Sequence, residues 1–238
     1  MTEIRNYKTA EDVAKAAAEN AVEILQIAIN TKEDVSWVLA GGTSPMQAYQ
    51  VIVRDYASAV DWSKVTVLMG DERMVPMNDK DSNTGTIKGL FDASAELSKV
   101  KWIIPDTTLD IVAAAKDFAR KIAAGNYGEF DLVWLGVGED GHTLSLFPGN
   151  VAFAEPTDEW VIPVYDSPKL PNERITLSLK ALEYVDELVI FAVGASKQDA
   201  LKEARLKRLL PISVASDVVE TNGGEVRWLY DEAAWNDD

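Results

Sequence analysis

FDLVWLGVGEDGHTLSLFPGN, residues 130–150, joins an apolar segment to a glycine-rich polar loop. The first eight residues, FDLVWLGV, are apolar on both faces, which is typical of a strand buried inside a parallel sheet. Ligands of open α/β sheets bind beyond the carboxyl ends of such strands. The stretch therefore predicts a buried parallel strand followed by a loop that carries chemistry.

Six further strand candidates recur along the chain, at residues 35–40, 65–70, 101–105, 159–164, 174–179 and 187–193. Helical patterns lie between many of them, at about 9–29, 45–56, 108–123 and 196–206, and Thr9 is the expected N-cap of the first. DSN, residues 81–83, is the expected cap before another helix. This alternation predicts an α/β fold with a doubly wound, mostly parallel sheet. No linker rich in Ser, Gly or Pro divides the chain, so we expect one domain over residues 1–238, with a frayed end after Trp235.

The composition excludes several classes of protein. The 238 residues contain no cysteine, which excludes disulfides and thiolate metal sites, and 39 acidic against 23 basic residues give a formal net charge of −16. Such a surface repels nucleic acids and anionic membranes, and no segment has the ~18 consecutive apolar residues of a membrane helix. No secretory signal is present at the N-terminus, so we expect a cytoplasmic protein with neither nucleic acid nor membrane as a partner.

The loop after residues 130–137 has the glycine spacing of a dinucleotide-binding site, G-x-G-x-x-G, at Gly136, Gly138 and Gly141. That site requires a helix of several turns after the last glycine, and here Pro148 and Gly149 interrupt within two turns. Glu139 and Asp140 would also place carboxylates where a pyrophosphate must lie. A nicotinamide or flavin dinucleotide is therefore not expected.

The same loop carries the only histidine of the chain, His142, two positions after Asp140. An imidazole near its ordinary pKa is well suited to move protons at neutral pH, and a carboxylate can fix its tautomer and orientation. The alternative is a histidine with a purely structural hydrogen bond. No G-x-S-x-G segment indicates a nucleophilic serine, and with one histidine and no cysteine a metal site is not expected.

Two other loops follow predicted strands. GGTSP, residues 41–45, brings free N–H groups to a helix start, with hydroxyls and a cap from Thr43 and Ser44, and this favours phosphate binding. DERMVP, residues 71–76, could bind a polyol and an anion through Asp71 and Arg73. The alternatives are an ordinary capped turn for the first and a surface ion-pair cluster for the second.

Three basic residues complete the set of candidates. Lys169 and Arg174 lie around the start of the segment 174–179, and Lys197 follows the segment 187–193. Each alone could be a solvated surface charge. Several phosphate-binding features in so acidic a chain nevertheless favour a site for an anionic small molecule.

Five segments in this order resemble the 6-phosphogluconolactonase family: LAGGTSP, GDERMVPMNDKDSN, LGVGEDGHTLSLFPG, LPNERITLS and VGASK. The resemblance covers nearly the whole chain. It implies hydrolysis of 6-phospho-D-glucono-1,5-lactone to 6-phosphogluconate in the oxidative pentose phosphate pathway, without a cofactor. It also implies a three-layer α/β/α sandwich with a modified Rossmann-type sheet, shared with glucosamine-6-phosphate deaminases and, more distantly, ribose-5-phosphate isomerases.

Those deaminases are the main alternative, because they also combine a GG[ST][ST]P loop with a DGH loop. Their DGH is followed by I-A-F-N-E-P, whose glutamate assists ring opening, and this chain has Phe147 at that position. The difference favours the lactonase. A sugar-phosphate sensor without catalysis is a second alternative, and the order GGTSP instead of the common GGSTP leaves the separate roles of Thr43 and Ser44 open.

The resemblance implies a role for each candidate residue. His142 is the expected general base, with Asp140 orienting the loop or the imidazole, and Arg73 or loop N–H groups are the expected donors to the oxyanion. The phosphate is expected on residues 42–44, held also by Arg174 and Lys197, with Asp71 at the sugar hydroxyls. Substrate-binding groups are expected at Gly41, Gly42, Thr43, Ser44, Asp71, Arg73, Arg174 and Lys197. The oligomeric state, monomer or homodimer, stays open.

Overall fold

The computed structural model describes residues 2–125 and 129–235, so the chain end predicted to fray lies outside the described residues. None of the described helices is long and apolar enough to cross a membrane. The strands are β1 (Thr2–Tyr7), β2 (Val35–Leu39), β3 (Val65–Met69), β4 (Asp71–Arg73), β5 (Lys101–Ile103), β6 (Phe130–Gly136), β7 (Val161–Val164), β8 (Arg174–Leu177), β9 (Val185–Ala192) and β10 (Glu225–Asp231). The α-helices are α1 (Ala10–Ile29), α2 (Thr43–Asp55), α3 (Asn83–Asp92), α4 (Ile111–Ala124), α5 (Val151–Ala154), α6 (Gln198–Lys207) and α7 (Pro211–Thr221).

The central feature is a seven-stranded sheet in the order β1-β10-β9-β6-β2-β3-β5. Every neighbouring pair in it is parallel, as in the pairing of Trp37 with Leu132 between β2 and β6. Strands β2, β3 and β6 are buried along almost their whole length, which explains their continuous apolar sequences. The predicted parallel sheet is confirmed.

Helices cover both faces of this sheet. Because side chains alternate along a strand, Trp37 and Leu39 of β2 pack with α1, α2 and α3 on one face, while Val38 packs on the other with α4, α6 and α7. The two hydrophobic clusters lie on opposite sides of one layer of strands. The three-layer α/β/α sandwich expected from the sequence is confirmed.

The predicted strands at 159–164 and 174–179 are strands, but they form a second sheet. β7 and β8 pair antiparallel, and β8 pairs antiparallel with the short strand β4, in the order β4-β8-β7. Ile175 and Leu177 of β8 join the core on the α4 face of the main sheet. This small sheet connects the loop after β3 to the segment around Arg174, so it holds two of the predicted site segments together.

Local signals predicted two helix starts correctly. Thr9 caps α1, with its Oγ1 accepting from the Asp12 N–H at 3.2 Å, and Ser82 caps α3, with its Oγ accepting from the Gly85 N–H at 3.0 Å. The strands β1, β4 and β10 and the helix α7 were not expected from the sequence. β1 is an exposed edge strand with the mixed sequence TEIRNY, which lacks the apolar pattern of the buried strands.

The aromatic cluster around Trp37 gives a test of the core. The Trp37 side chain is fully buried, with ring centroids 4.8 Å from Trp134 and 5.7 Å from Tyr49. We expect Trp37→Ala to lower the free energy of unfolding by about 3–5 kcal/mol, because the cavity cannot collapse between the sheet and two helices. Urea denaturation measures this loss. Trp102→Ala is the matched control, and because Trp102 is only partly buried its substitution should lower the free energy of unfolding by less. A loss below about 1 kcal/mol for Trp37→Ala would contradict this description of the core.

Candidate active site

A cavity of about 490 Å³ lies at the carboxyl edge of the main sheet, where β2, β6 and β9 end. Nine of the ten predicted site residues line it: Gly41, Gly42, Thr43, Ser44, Asp71, Arg73, His142, Arg174 and Lys197. The tenth, Asp140, is not among the lining residues but contacts Nδ1 of His142 with its carboxylate. The fold thus brings together residues that are up to 156 positions apart in the sequence.

The loop after β2 presents the start of α2 to the cavity. Ala40 is fixed by the buried Tyr49 hydroxyl, which accepts from its N–H at 3.0 Å and donates to its carbonyl at 3.1 Å. Gly42 then turns with φ of +99°, a conformation that a side chain would disfavour. Among the described residues, no acceptor is bonded to the N–H groups of Thr43 and Ser44. These donors, at the positive end of the helix dipole, suit an anion.

One detail of this loop differs from the expectation. We expected Thr43 and Ser44 to cap the helix and α2 to begin near Pro45, but α2 begins at Thr43 and the capping residue is Gly42. Neither hydroxyl makes a capping hydrogen bond. Because Gly42 has a positive φ, the start of α2 is directed toward the cavity. The hydroxyls and N–H groups of Thr43 and Ser44 are therefore left for a ligand.

The loop after β6 forms a tight His142–Asp140 pair. The Asp140 carboxylate is hydrogen-bonded to Nδ1 of His142 and also accepts from the His142 N–H at 3.3 Å. A Cβ at residue 138 would overlap both the imidazole and the carboxylate, so only glycine allows this pair. The glycine pattern that resembles a dinucleotide site therefore serves the close approach of His142.

The imidazole is held on its other side by an aromatic ring. The ring of Phe147 lies 4.4 Å from that of His142, centroid to centroid, at an angle of 31°. Since Asp140 bonds Nδ1, the proton of the neutral ring resides there, and Nε2 carries the lone pair. Within residues 2–125 and 129–235, no hydrogen-bond partner is found for Nε2. The accepting atom is thus available at the cavity.

Burial dominates the electrostatics of His142. With 15% of its side chain exposed, desolvation lowers its pKa below the ordinary 6.5, although the hydrogen bond and charge of Asp140 oppose the shift. For Asp140, burial acts to raise the pKa, but the interactions with His142 outweigh it and the pKa is lowered. The pair is therefore a neutral imidazole beside a carboxylate at neutral pH, which is the state that a general base requires.

Asp71 and Arg174 form a second polar group in the cavity. The buried Asp71 accepts a hydrogen bond from the Ser145 hydroxyl at 2.6 Å, and the Arg174 Nη1 lies 4.0 Å from the same carboxylate oxygen. Arg174 also donates from Nη2 to the Lys169 carbonyl at 2.8 Å and from Nε to the Pro171 carbonyl at 3.0 Å. The Arg174 guanidinium thus lines the cavity while it bonds the adjacent loop.

Arg73 is oriented by the segment that follows it. Its Nη1 donates to the Asp81 carbonyl at 2.7 Å, and its Nε is buried without a hydrogen-bond partner among the described residues. The segment is anchored by Glu72, which is 2% exposed and accepts from the N–H groups of Asn83 and Thr84 at 2.9 and 2.7 Å. The acidic pair Asp71 and Glu72 therefore has divided roles, since one faces the cavity and the other holds the loop.

Sequence reasoning missed the place of Asn83 in the cavity. Asn83 lines it and donates from Nδ2 to the Asp71 carbonyl at 3.1 Å, filling the space that the glycine at 41 leaves open. From the sequence, Asn83 was expected only at a helix start, and no local signal distinguishes that position from a place in the cavity. Lys169 lines the cavity as well. It was singled out in the sequence but received no separate role.

Comparisons with known proteins identify the family of this chain. Residues 8–228 match the family described as glucosamine-6-phosphate isomerases/6-phosphogluconolactonase. The chain belongs to this family. A 6-phosphogluconolactonase of Caulobacter vibrioides is 33% identical, with 95% of this chain and 96% of the relative covered. A 6-phosphogluconolactonase 3 of Saccharomyces cerevisiae is 34% identical, with 87% and 86% covered.

Solved structures support the fold. A 6-phosphogluconolactonase from Shewanella baltica superposes with a TM-score of 0.85 over 97% of this chain and 98% of its own, at 24% identity. At that identity the likeness establishes the shared α/β sandwich. The family resemblance stated from the sequence motifs is confirmed.

Because the chain has one histidine, its imidazole can be titrated by NMR without overlap. We expect a pKa below 6.5 in the wild type, since burial disfavours the imidazolium. We expect Asp140→Asn to lower it further, because it removes the charge that opposes this shift. Glu139→Gln, at the adjacent exposed position, is the matched control and should leave the value unchanged. A rise of the pKa in Asp140→Asn would contradict the pairing.

Proposed function

We propose that this chain hydrolyses 6-phospho-D-glucono-1,5-lactone to 6-phospho-D-gluconate. The observation that carries the proposal is the neutral His142, bonded to Asp140 at Nδ1 and unpartnered at Nε2 among the described residues, at a cavity with phosphate-binding groups. Relatives named 6-phosphogluconolactonase, at 33–34% identity over most of the chain, support the same reaction. A phosphorylated sugar lactone suits this cavity, because the base can act on the lactone while the phosphate-binding groups hold the phosphate.

The phosphate would bind at the start of α2. The N–H groups of Thr43 and Ser44 and the ammonium of Lys197 supply donors and positive charge there, against the −16 of the whole chain. Asp71 and Asn83 also line the cavity and are suited to sugar hydroxyls. Binding through a phosphate remote from the reacting carbonyl holds that carbonyl near the base.

In the proposed reaction, Nε2 of His142 takes a proton from a water molecule as its oxygen bonds to C1 of the lactone. The carbonyl electrons move to oxygen, and this oxyanion would be stabilised by Arg73, whose Nε is buried and unpartnered among the described residues, or by loop N–H groups. When the tetrahedral intermediate collapses, the bond between C1 and the ring oxygen breaks. The departing alkoxide receives the proton from the imidazolium, which restores the neutral base.

The deaminase alternative lacks one of its groups here. Phe147 stands at the position where the deaminase motif has its glutamate, and it is 1% exposed and packed on the His142 ring. It supplies packing and no proton transfer. A sensor without catalysis would have no need for the His142–Asp140 pair, although it would keep the phosphate-binding groups.

The test is hydrolysis of freshly generated 6-phosphogluconolactone, corrected for its spontaneous opening. We expect His142→Ala to lose about 10²-fold or more in kcat, because general-base assistance is lost. Calorimetry should find binding of 6-phosphogluconate retained, which controls for an intact cavity. If the wild type only matches the spontaneous rate, the lactonase proposal is wrong, and ammonia release from glucosamine 6-phosphate becomes the next assay.

Other parts of the functional description stay predictions from the sequence. We propose a cytoplasmic location and no nucleic-acid partner, on the strength of the cysteine-free composition and the net charge of −16. The chemistry written above uses side chains and water alone. We also propose that residues 1–238 act as one domain.

A further inference from the structure

The loop of residues 165–173, YDSPKLPNE, forms a wall of the cavity through Lys169 and Leu170. It is closed on itself by a Ser167 N–H that donates to the Asn172 carbonyl at 3.1 Å and an Asn172 Nδ2 that donates to the Ser167 carbonyl at 2.8 Å. The Ser167 hydroxyl donates to the Lys169 carbonyl at 2.8 Å. The loop therefore has a defined shape even though much of it is exposed.

Arg174 fixes this loop to the core. The residue is 4% exposed, its Nε and Nη2 donate to the carbonyls of Pro171 and Lys169, and its guanidinium lies 5.6 Å from the centre of the Phe147 ring. The Lys169 carbonyl thus accepts from both Arg174 and Ser167. These bonds hold the backbone of residue 169 at the rim, so that its side chain faces the cavity.

The Lys169 ammonium lines the cavity without an acidic partner in the described part of the chain. Among the described residues, it takes part in no ion pair or side-chain hydrogen bond, although the chain has 39 acidic residues to offer. Its positive charge instead acts on two cavity groups, lowering the pKa of both His142 and Lys197. Two ammonium groups that line one cavity repel each other, and an anion bound between them removes that repulsion.

We propose that Lys169 and Lys197 together hold the substrate's phosphate, and that Arg174 is a positioning residue that keeps Lys169 at the cavity. This rests on the proposed lactonase function. Lys169 is then the residue that makes the enzyme selective for phosphorylated over unphosphorylated lactones. The role of Arg174 differs from the direct phosphate contact that the family resemblance implied, because two of its three nitrogens already bond loop carbonyls.

The first experiment compares 6-phosphogluconolactone with glucono-1,5-lactone as substrates for Lys169→Met. We expect KM for the phosphorylated lactone to rise about 10- to 100-fold, as for the loss of one bond to a charged group, with kcat within about 3-fold. Turnover of the unphosphorylated lactone should be unchanged. Lys180→Met is the matched control, since Lys180 is paired with Glu183 away from the cavity. An equal loss on both lactones would instead assign Lys169 to the oxyanion and overturn the proposal.

The second experiment separates positioning from direct binding by Arg174. Arg174→Lys keeps the charge but cannot bond both loop carbonyls, so we expect the same rise in KM as in Lys169→Met. The double variant should then be no worse than either single variant. Multiplied losses in the double variant would show that Arg174 binds the phosphate itself. Lys169→Arg keeps the positive charge, so it should retain most of the wild-type affinity for the phosphorylated lactone that Lys169→Met loses.

A third readout does not depend on turnover. Three charged groups act on His142: Asp140 on its own loop, Asp71 from β4 and Lys169 from the 165–173 loop. Removing the Lys169 charge should raise the NMR pKa of His142, whereas Lys180→Met should not. Calorimetry should find that Lys169→Met binds 6-phosphogluconate more weakly than the wild type does. Its affinity for gluconate should equal that of the wild type. If the wild type turns over no lactone, the proposed function fails, and these two measurements still decide the role of Lys169.

Discussion

Parallel alignment of β2, β6 and β9 is the constraint from which the site follows, because it places the carboxyl ends of three strands at one edge of the sheet. The first strand leads into a helix start, the second into the His142 loop, and the third into the turn that bears Lys197. None of these loops forms a site alone. The small β4-β8-β7 sheet adds the fourth wall, since it carries Asp71 at one end and Arg174 at the other.

The site is a local exception to the charge of the chain. A formal net charge of −16 disfavours an anionic substrate at long range, and the cavity counters it with donors that are short-ranged and fixed. The N–H groups of Thr43 and Ser44 contribute the helix dipole, and Lys197 contributes a half-buried ammonium. For His142, burial is the main cause that lowers the pKa and favours the neutral form; the charge of Lys169 adds to it, and Asp140 and Asp71 oppose it.

Much of the fold was predictable because it depends on local sequence. Continuous apolar segments marked the buried parallel strands, and Thr9 and Ser82 marked helix starts. What could not be predicted depends on pairing across the chain. The second sheet joins β4 to β8 over about a hundred residues, and among the described strands β1 pairs with β10 alone. A three-residue strand or an exposed edge strand carries no periodic pattern of its own.

For the site, the residue types were predictable but their partners were not. The sequence places His142 and Asp140 two positions apart, but the contact between the Asp140 carboxylate and Nδ1 is visible only in the structure. The same is true of Gly138, whose missing Cβ makes room for this contact. Arg174 was correctly placed at the cavity. Its bonds to the carbonyls of the 165–173 loop depend on backbone geometry that residue types do not encode.

The role of His142 as the base is tested most directly by comparing two titrations of the same protein. One is the pH dependence of kcat/KM for 6-phosphogluconolactone, corrected for spontaneous hydrolysis, and the other is the NMR titration of the only histidine. A base must be unprotonated, so the rate should be complete above its pKa and fall as the pH drops through it. We predict that both curves give the same pKa, below 6.5. A rate that stays constant while His142 becomes protonated would contradict its role as the base.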